Sequence, residues 1–142
     1  MASVYDVAAY ILHKAGSMTA MKLQKLVYFS QAWSLVWDEK HIFKEEIEAW
    51  ANGPVVPELF AAHKGQFTVS AEPKGKRENL TSEEQKTINA VLKFYGEKSA
   101  PWLSALTHSE APWKDARKGV PEGERSSRVI TLAAMAEYYG HL

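Results

Sequence analysis

The sequence predicts a mainly α-helical protein: a single compact helical domain over residues 1–142, with room for one small antiparallel β element. Three observations predict this fold. Apolar residues recur at helical spacing in several segments, and these segments begin at Ser or Thr caps and end at glycines. The periodicity breaks into short extended runs at only two places. With 46% hydrophobic residues, a chain of 142 residues can bury one sizeable core.

Two helices are predicted in the amino-terminal quarter of the chain. Ser3 and Asp6 suit the start of the first helix, and Gly16 suits its end. Thr19 is predicted to cap the second helix, which runs to about Trp37. The carboxyl half of this second helix is apolar nearly all round, which is typical of the central helix of a domain.

The helical period breaks after the second helix. Ile42–Phe43 and Ile47–Trp50 are predicted to be short extended pieces. Gly53-Pro54 then ends one element and starts another, because Gly tolerates strained dihedrals and Pro constrains its predecessor. A short helix is expected over Val56–His63. Residues 70–79 are polar and contain proline and glycine, so they are expected to form a surface loop.

The carboxyl half of the chain is predicted to return to helices. A capping box at Thr81–Glu84 starts the next helix, which ends at Gly96. Two short helices follow, opened by Pro101 and by Pro112, the second of them reaching Lys118. The remaining predicted elements are a polar loop, a short strand and a final helix capped by Thr131, at residues 119–126, 128–130 and 131–139.

Composition excludes several classes of function. Lys and Arg together number 17, as do Asp and Glu, so the formal net charge is zero, which disfavours a nucleic-acid partner and a membrane-surface role. The absence of cysteine excludes thiolate nucleophiles and cysteine-ligated zinc. We find neither a signal-peptide pattern nor a run of roughly 20 apolar residues, so a soluble cytoplasmic protein is expected.

The sequence offers no convincing catalytic constellation. None of the five histidines forms a His-Glu-x-x-His pair, and there is neither a Gly-x-Ser-x-Gly elbow nor a glycine-rich phosphate loop. His108, Glu110 and Asp115 are the only candidate metal ligands. We favour the simpler interpretation, in which His108 donates a hydrogen bond that ties down its corner. The prediction is therefore a protein that is not an enzyme and has no cofactor or metal.

Basic residues cluster in two places. One cluster contains His13, Lys14, Lys22 and Lys25, and the other is formed by residues 74–77. Solubility is the favoured explanation for both, since acidic residues are equally abundant. The alternative is a DNA-binding autoregulator, for which the segment from residue 14 to residue 25 is the only candidate helix-turn-helix.

Two corners are rich in aromatic residues, glycine and proline, and we expect function at these corners. They span residues 49–60 and 107–113, and they contain Trp50 and Trp113. Each tryptophan taken singly is predicted to be a core anchor. With five tryptophans in a chain of this length, the alternative that one of them lies at an interface stays open.

Four motifs in order carry a resemblance to a known family. They are Met-Lys-Leu-Gln-Lys-Leu-Val-Tyr-Phe at 21–29, Phe43 followed by Glu-Ala-Trp at 48–50, Gly-Pro-Val-Val-Pro at 53–57, and Leu-Ser-x-x-Thr-His-x-Glu-x-Pro-Trp at 103–113. The chain resembles the SocA/GepA-type family, also called the Panacea domain, from about Thr19 to Tyr139. One departure is Asn52, where the family often has a basic or aromatic residue.

The resemblance implies an antitoxin of a bacterial or prophage toxin–antitoxin system, which neutralises a cognate toxin protein by binding it. One branch of the family acts instead as an adaptor that delivers its toxin to a Clp-type protease. We expect side chains of the second helix to frame one cleft with the two corners, and Lys25→Glu to abolish neutralisation without lowering the melting temperature. The predicted partner-binding residues are Lys22, Lys25, Tyr28, Trp50, His108, Glu110 and Trp113.

Overall fold

A computed structural model describes residues 1–142 and is 55% helical. The helices are α1 (Val4–Ala15), α2 (Ala20–Trp37), α3 (Pro57–Ala62), α4 (Ser82–Tyr95), α5 (Ala100–Ser109), α6 (Ala111–Ala116) and α7 (Leu132–Gly140). The strands are β1 (Met18–Thr19), β2 (Ile47–Trp50), β3 (Gly53–Val55), β4 (Thr68–Val69) and β5 (Val129–Ile130), and a 3-10 turn covers Arg77–Asn79. The predicted mainly helical fold with a small antiparallel β element is confirmed.

The predicted helix starts are confirmed by their hydrogen bonds. Ser3 and Asp6 form a capping box at the start of α1, and Thr81 and Glu84 form one at the start of α4. In each box the hydroxyl accepts from a first-turn N–H while the carboxylate accepts from the cap residue's N–H. Single side-chain caps begin α2, α5 and α7, at Thr19, Ser99 and Thr131.

Helix α2 is the central element, as predicted. It packs against α1, α4, α5 and α7 as well as against the small sheet. Four of its large apolar side chains are completely buried, and each contributes about 1.5–3 kcal/mol relative to an exposed position. They are Leu23, Leu26, Val27 and Phe29. The second half of the chain therefore folds around this one helix.

The β structure forms two small antiparallel sheets. One pairs β1 with β4, and the other has the strand order β3-β2-β5. In the second sheet β2 and β3 form a tight hairpin, with Trp50 opposite Gly53. Gly53-Pro54 was expected to end one element and start another, and in the structure β2 ends at Trp50 and β3 begins at Gly53. Gly53 has φ +125, a conformation that suits glycine and lets the chain reverse here.

The predicted extended piece at Ile42–Phe43 is not a strand. Both residues are buried, and their backbone groups bond to a side chain instead of to a neighbouring strand. Gln31 Oε1 accepts from the Ile42 N–H at 2.7 Å, and Gln31 Nε2 donates to the Phe43 carbonyl at 2.7 Å. A buried glutamine thus replaces the hydrogen bonds that a strand would provide.

The predicted surface loop at residues 70–79 is anchored to the body of the protein. Glu72 is buried and lies 2.6 Å from His63 Nε2. Asp6 Oδ1 accepts from the Lys76 N–H at 2.7 Å and from Asn79 Nδ2 at 3.3 Å. These bonds lower the pKa of Asp6, although its burial acts in the opposite direction.

We predict that Gln24→Met destabilises the fold by about 1–3 kcal/mol, because it leaves the buried Val56 N–H without a partner, whereas the Val56 carbonyl still accepts from the Phe60 N–H at 3.0 Å. Gln24 is 2% exposed, and its amide accepts from the Val56 N–H at 2.9 Å and donates to the Val56 carbonyl at 3.3 Å. Chemical denaturation measures the change, with Gln66→Met at an exposed position as the matched control. Equal unfolding midpoints for the two variants would contradict this role.

Candidate functional site

The structure divides the seven predicted partner-binding residues into two groups. Four of them lie in the interior: Lys25, Tyr28, Glu110 and Trp113, with exposed fractions of 0%, 1%, 6% and 7%. The other three, Lys22, Trp50 and His108, are half-buried. Their role in binding a partner stays a prediction, but their positions define what each can contact.

Lys25 runs from α2 to the hairpin and ends there without a partner. A Cβ atom on Gly53 would lie 2.4 Å from Lys25 Cε and 3.1 Å from Nζ, so only glycine lets the lysine pass. Lys25 Nζ is buried and makes no hydrogen bond. Burial of the ammonium lowers the pKa of Lys25 to about 8.

Tyr28 begins a chain of buried hydroxyl groups that links α2 to α7 and to the second corner. The Tyr28 hydroxyl lies 3.1 Å from that of Tyr139, which donates to Glu110 Oε1 at 2.7 Å. Because the Tyr139 proton is used in the bond to Glu110, Tyr28 is the donor to Tyr139. Burial raises the pKa of all three groups. This series of hydrogen bonds therefore ends at the buried carboxylate of Glu110, which has no cation as its partner.

The two aromatic corners are bound to each other. The His108 and Trp113 rings stack at 3.9 Å and 5°, and Trp113 Nε1 donates to the Trp50 carbonyl at 2.8 Å. The Asn52 backbone acts on the pKa of His108, but the His108 side chain makes no hydrogen bond of normal geometry, so the hydrogen bond expected to tie down this corner stays a prediction. The His108 Nε2 atom is buried without a partner. Desolvation lowers the pKa of His108, and the nearby Lys25 lowers it further.

The predicted proximity of α2 to the corners is present, but the predicted cleft between them is not. Lys25 touches Gly53, and its charge acts on His108. The expectation that Lys25 and Tyr28 frame an accessible cleft was wrong, because both side chains are buried, Lys25 against Gly53 of the hairpin and Tyr28 against Tyr139 of α7. A carboxylate at position 25 would be buried as well, so we now expect Lys25→Glu to lower the melting temperature.

An open groove lies on the outer side of the hairpin, with a volume of about 1100 Å³. Its floor is the hairpin, including Trp50 and the buried Val55. One wall comes from α3 and the residues after it, where Phe60 packs edge-on against Trp50 with ring centres 5.0 Å apart. The opposite wall is the loop at residues 120–128. Of the seven predicted residues, Trp50 alone lines this groove.

Arg117 positions the loop that forms the second wall. This buried guanidinium donates to the Ala49 carbonyl of the hairpin at 2.9 Å. It also donates to the carbonyl of Pro121 at 3.2 Å and to that of Glu124 at 2.6 Å. Helix α6 ends at Ala116, two residues before the predicted end at Lys118, and Arg117 caps it.

The groove carries an excess of positive charge. Its charged lining residues are Lys64, Arg125, Arg128 and Glu48. None of the three cations forms an ion pair within the protein. Glu48 accepts from Trp50 Nε1 at 2.9 Å, so its carboxylate is already engaged. Charged side chains and exposed aromatic rings thus share one concave surface.

The structure shows no cluster of His, Asp and Glu side chains with the arrangement of a metal site. His108 and Glu110, the two central candidates, serve the separate contacts described above. No helix combines the length and the apolar composition that crossing a membrane requires.

A comparison with family models identifies the fold. The model described as "Antitoxin SocA-like, Panacea domain" matches residues 23–114, about two thirds of the chain. The chain belongs to this SocA-like Panacea family. No curated protein and no solved structure matches it. The resemblance that the four sequence motifs indicated is therefore confirmed.

The Panacea match covers part of the buried network, without Tyr139, and part of the groove. It contains six of the seven predicted residues, all except Lys22, together with the hairpin and α3. The wall formed by residues 120–128 lies outside it. The match thus describes the floor and the aromatic wall, whereas Arg125 and Arg128 are features of this chain beyond the matched span.

The sequence indicates only part of this groove. The predicted functional corner at residues 49–60 contains Trp50 and Phe60, whereas Lys64 and Arg125 lie in no motif. The only signal for the opposite wall is the predicted strand at residues 128–130, whose pairing with β2 brings Arg128 beside the hairpin. The Ala49 N–H donates to the Arg128 carbonyl at 2.8 Å. The sequence predicts this strand but not its pairing with β2, so it does not show that Arg128 lies beside the hairpin.

We predict that Lys25→Met stabilises the protein at neutral pH and removes a pH dependence. The pKa of Lys25 is about 8 when folded and 10.5 when unfolded, so the folded state carries a buried ammonium below about pH 8. Stability should then rise from pH 8 towards pH 10.5, by about 3 kcal/mol in all. Urea unfolding of the unchanged protein and of Lys25→Met, at several pH values up to about 9.5, measures this difference. Ionisation of the tyrosines affects both proteins alike, so it cancels in the comparison. Parallel profiles would contradict the burial of the charge.

Proposed function

We propose that this protein is an antitoxin that neutralises a cognate protein toxin by binding it directly, without catalysis. Membership of the SocA-like Panacea family is the observation that carries the proposal. The same proposal treats residues 1–142 as one Panacea domain acting in the cytoplasm. The packing of α1 and α7 on α2 supports this extent, because both helices lie outside the matched span.

The exposed surface provides a place for such a partner. Aromatic and arginine side chains are enriched where proteins bind each other tightly, and the groove combines Trp50 and Phe60 with two arginines. Phe60 is 41% exposed although it packs on another ring, so apolar area is available for burial. The buried network behind the hairpin holds this surface in place.

Two routes to neutralisation fit the family: blocking the toxin, or delivering it to a Clp-type protease. Both begin with binding of the toxin, and we propose blocking as the route here. A DNA-binding autoregulator fits less well. The candidate helix-turn-helix would need α2 to enter a DNA groove, but α2 is the central helix and Lys25 is buried within the protein.

The test is co-purification of a tagged version of the protein from its native host, with the partner identified by mass spectrometry. We expect a stoichiometric protein that arrests growth when expressed alone and not when expressed together with this chain. Recovery of a protease subunit, with toxin levels that fall only when that protease is present, would replace blocking by delivery. No toxic partner in repeated preparations would overturn the antitoxin proposal.

A further inference from the structure

We propose that the groove beside the hairpin binds an acidic segment of the partner protein, with one apolar side chain of that segment seated against Trp50 and Phe60. The inference rests on the proposed function, since it specifies the chemistry of the partner. It concerns the surface formed by the hairpin, α3 and the loop at residues 120–128, which we name the hairpin groove.

The charge of the hairpin groove favours an acidic occupant. Lys64, Arg125 and Arg128 line it, whereas the formal net charge of the whole protein is zero. The Lys64 and Arg125 side chains are exposed and form no ion pair. Glu122 and Glu124 belong to the same loop but do not line the groove. The local excess is therefore uncompensated, and carboxylates of a partner would complement it.

The floor of the hairpin groove favours an apolar anchor. The Trp50 and Phe60 rings meet edge-on at 65°, and Phe60 keeps 41% of its surface exposed beside Trp50. Met21 and Val55 extend the apolar lining. An aromatic or aliphatic side chain seated here would bury this area, while charged side chains at the rim exclude water from the contact and fix the orientation.

The openness of the groove favours a segment of polypeptide over a small molecule. Small-molecule sites are typically enclosed clefts of about 300–1,000 Å³. The hairpin groove, at about 1100 Å³, lies close to the upper end of this range, and it is an open surface groove and not an enclosed cavity. An extended or helical stretch of a protein fits such a surface.

The same features disfavour nucleic acid as the occupant. Proteins that bind single strands present flat aromatic faces for base stacking along a basic channel. Here the two rings are packed edge-on, and Glu48 adds a negative charge beside them. Three cations are also few for a phosphate backbone. The protein partner is therefore the better match, and nucleic acid becomes an outcome of the test.

Charge reversal tests the inference. Lys64→Glu combined with Arg125→Glu changes two side chains that make no hydrogen bond within the protein. Lys86→Glu combined with Lys93→Glu, on the exposed surface of α4, is the matched control with the same net charge. We expect the groove variant to bind the co-purified partner at least about tenfold more weakly, and the control to bind within about twofold of the unchanged protein. Calorimetric titration measures each affinity, and thermal unfolding checks that both variants fold.

A second experiment tests the same inference without the toxin. The probes are a fluorescein-labelled peptide of alternating aspartate and glutamate with one central phenylalanine, its asparagine–glutamine counterpart, and a labelled duplex DNA. We expect fluorescence anisotropy to show tighter binding of the acidic peptide than of its neutral counterpart, with a loss of at least about tenfold in the groove variant. Phe60→Ala should weaken the same peptide, whereas Phe67→Ala, exposed outside the groove, should not.

The outcomes separate the inference from the proposed function. A partner that neutralises normally and is bound equally well by the groove variant would overturn the acidic-segment inference and leave the antitoxin proposal intact. Equal affinity for the acidic and neutral peptides would overturn it too. Binding of DNA that depends on Lys64 and Arg125, without an effect on the partner, would overturn it in favour of nucleic acid.

Discussion

The polar side chains that helix α2 buries are the constraint on which the rest of this structure depends. Four long ones lie among the apolar residues of the central helix: Gln24, Lys25, Tyr28 and Gln31. Of these four, all but Lys25 bond to segments or elements outside the helix. Two glutamines replace the missing strand neighbours of Val56 and of Ile42–Phe43, while the tyrosine leads to Tyr139. Buried polar groups of this kind stabilise a fold only when their partners are in place. Lys25 is the exception, because it occupies space against Gly53 without any bond.

This arrangement separates the residues that stabilise the domain from the surface residues that are free to bind a partner. The motif residues characteristic of a Panacea domain mostly lie inside, where they hold the hairpin and the second corner against α2. The hairpin then carries Trp50 to its outer side, and Arg117 fixes the charged loop beside it. A domain built in this way keeps its scaffold when the outer loop changes.

The sequence predicts where the helices begin, but it does not predict the tertiary contacts between them. Caps such as Ser3, Thr81 and Thr131 act on their own first turn, so local sequence reveals them. The hairpin was hidden because Gly53-Pro54 has the local signature of a break, and its pairing is decided by distant neighbours. The burial of Lys25 was hidden for the same reason: lysine is normally exposed on a helix, and only the packed hairpin removes it from water. The groove as a whole could not be predicted from the sequence, because the three segments that form it are far apart in the chain.

The most direct test of this account is hydrogen exchange of the protein alone and in complex with its co-purified partner, read by mass spectrometry. The account predicts new protection in two separate stretches, residues 48–64 and 120–128, which line the groove. It predicts no change on the exposed face of α4, where Phe94 lies. Protection confined to that face, with both groove stretches exchanging as in the free protein, would contradict the division between a buried scaffold and a binding groove.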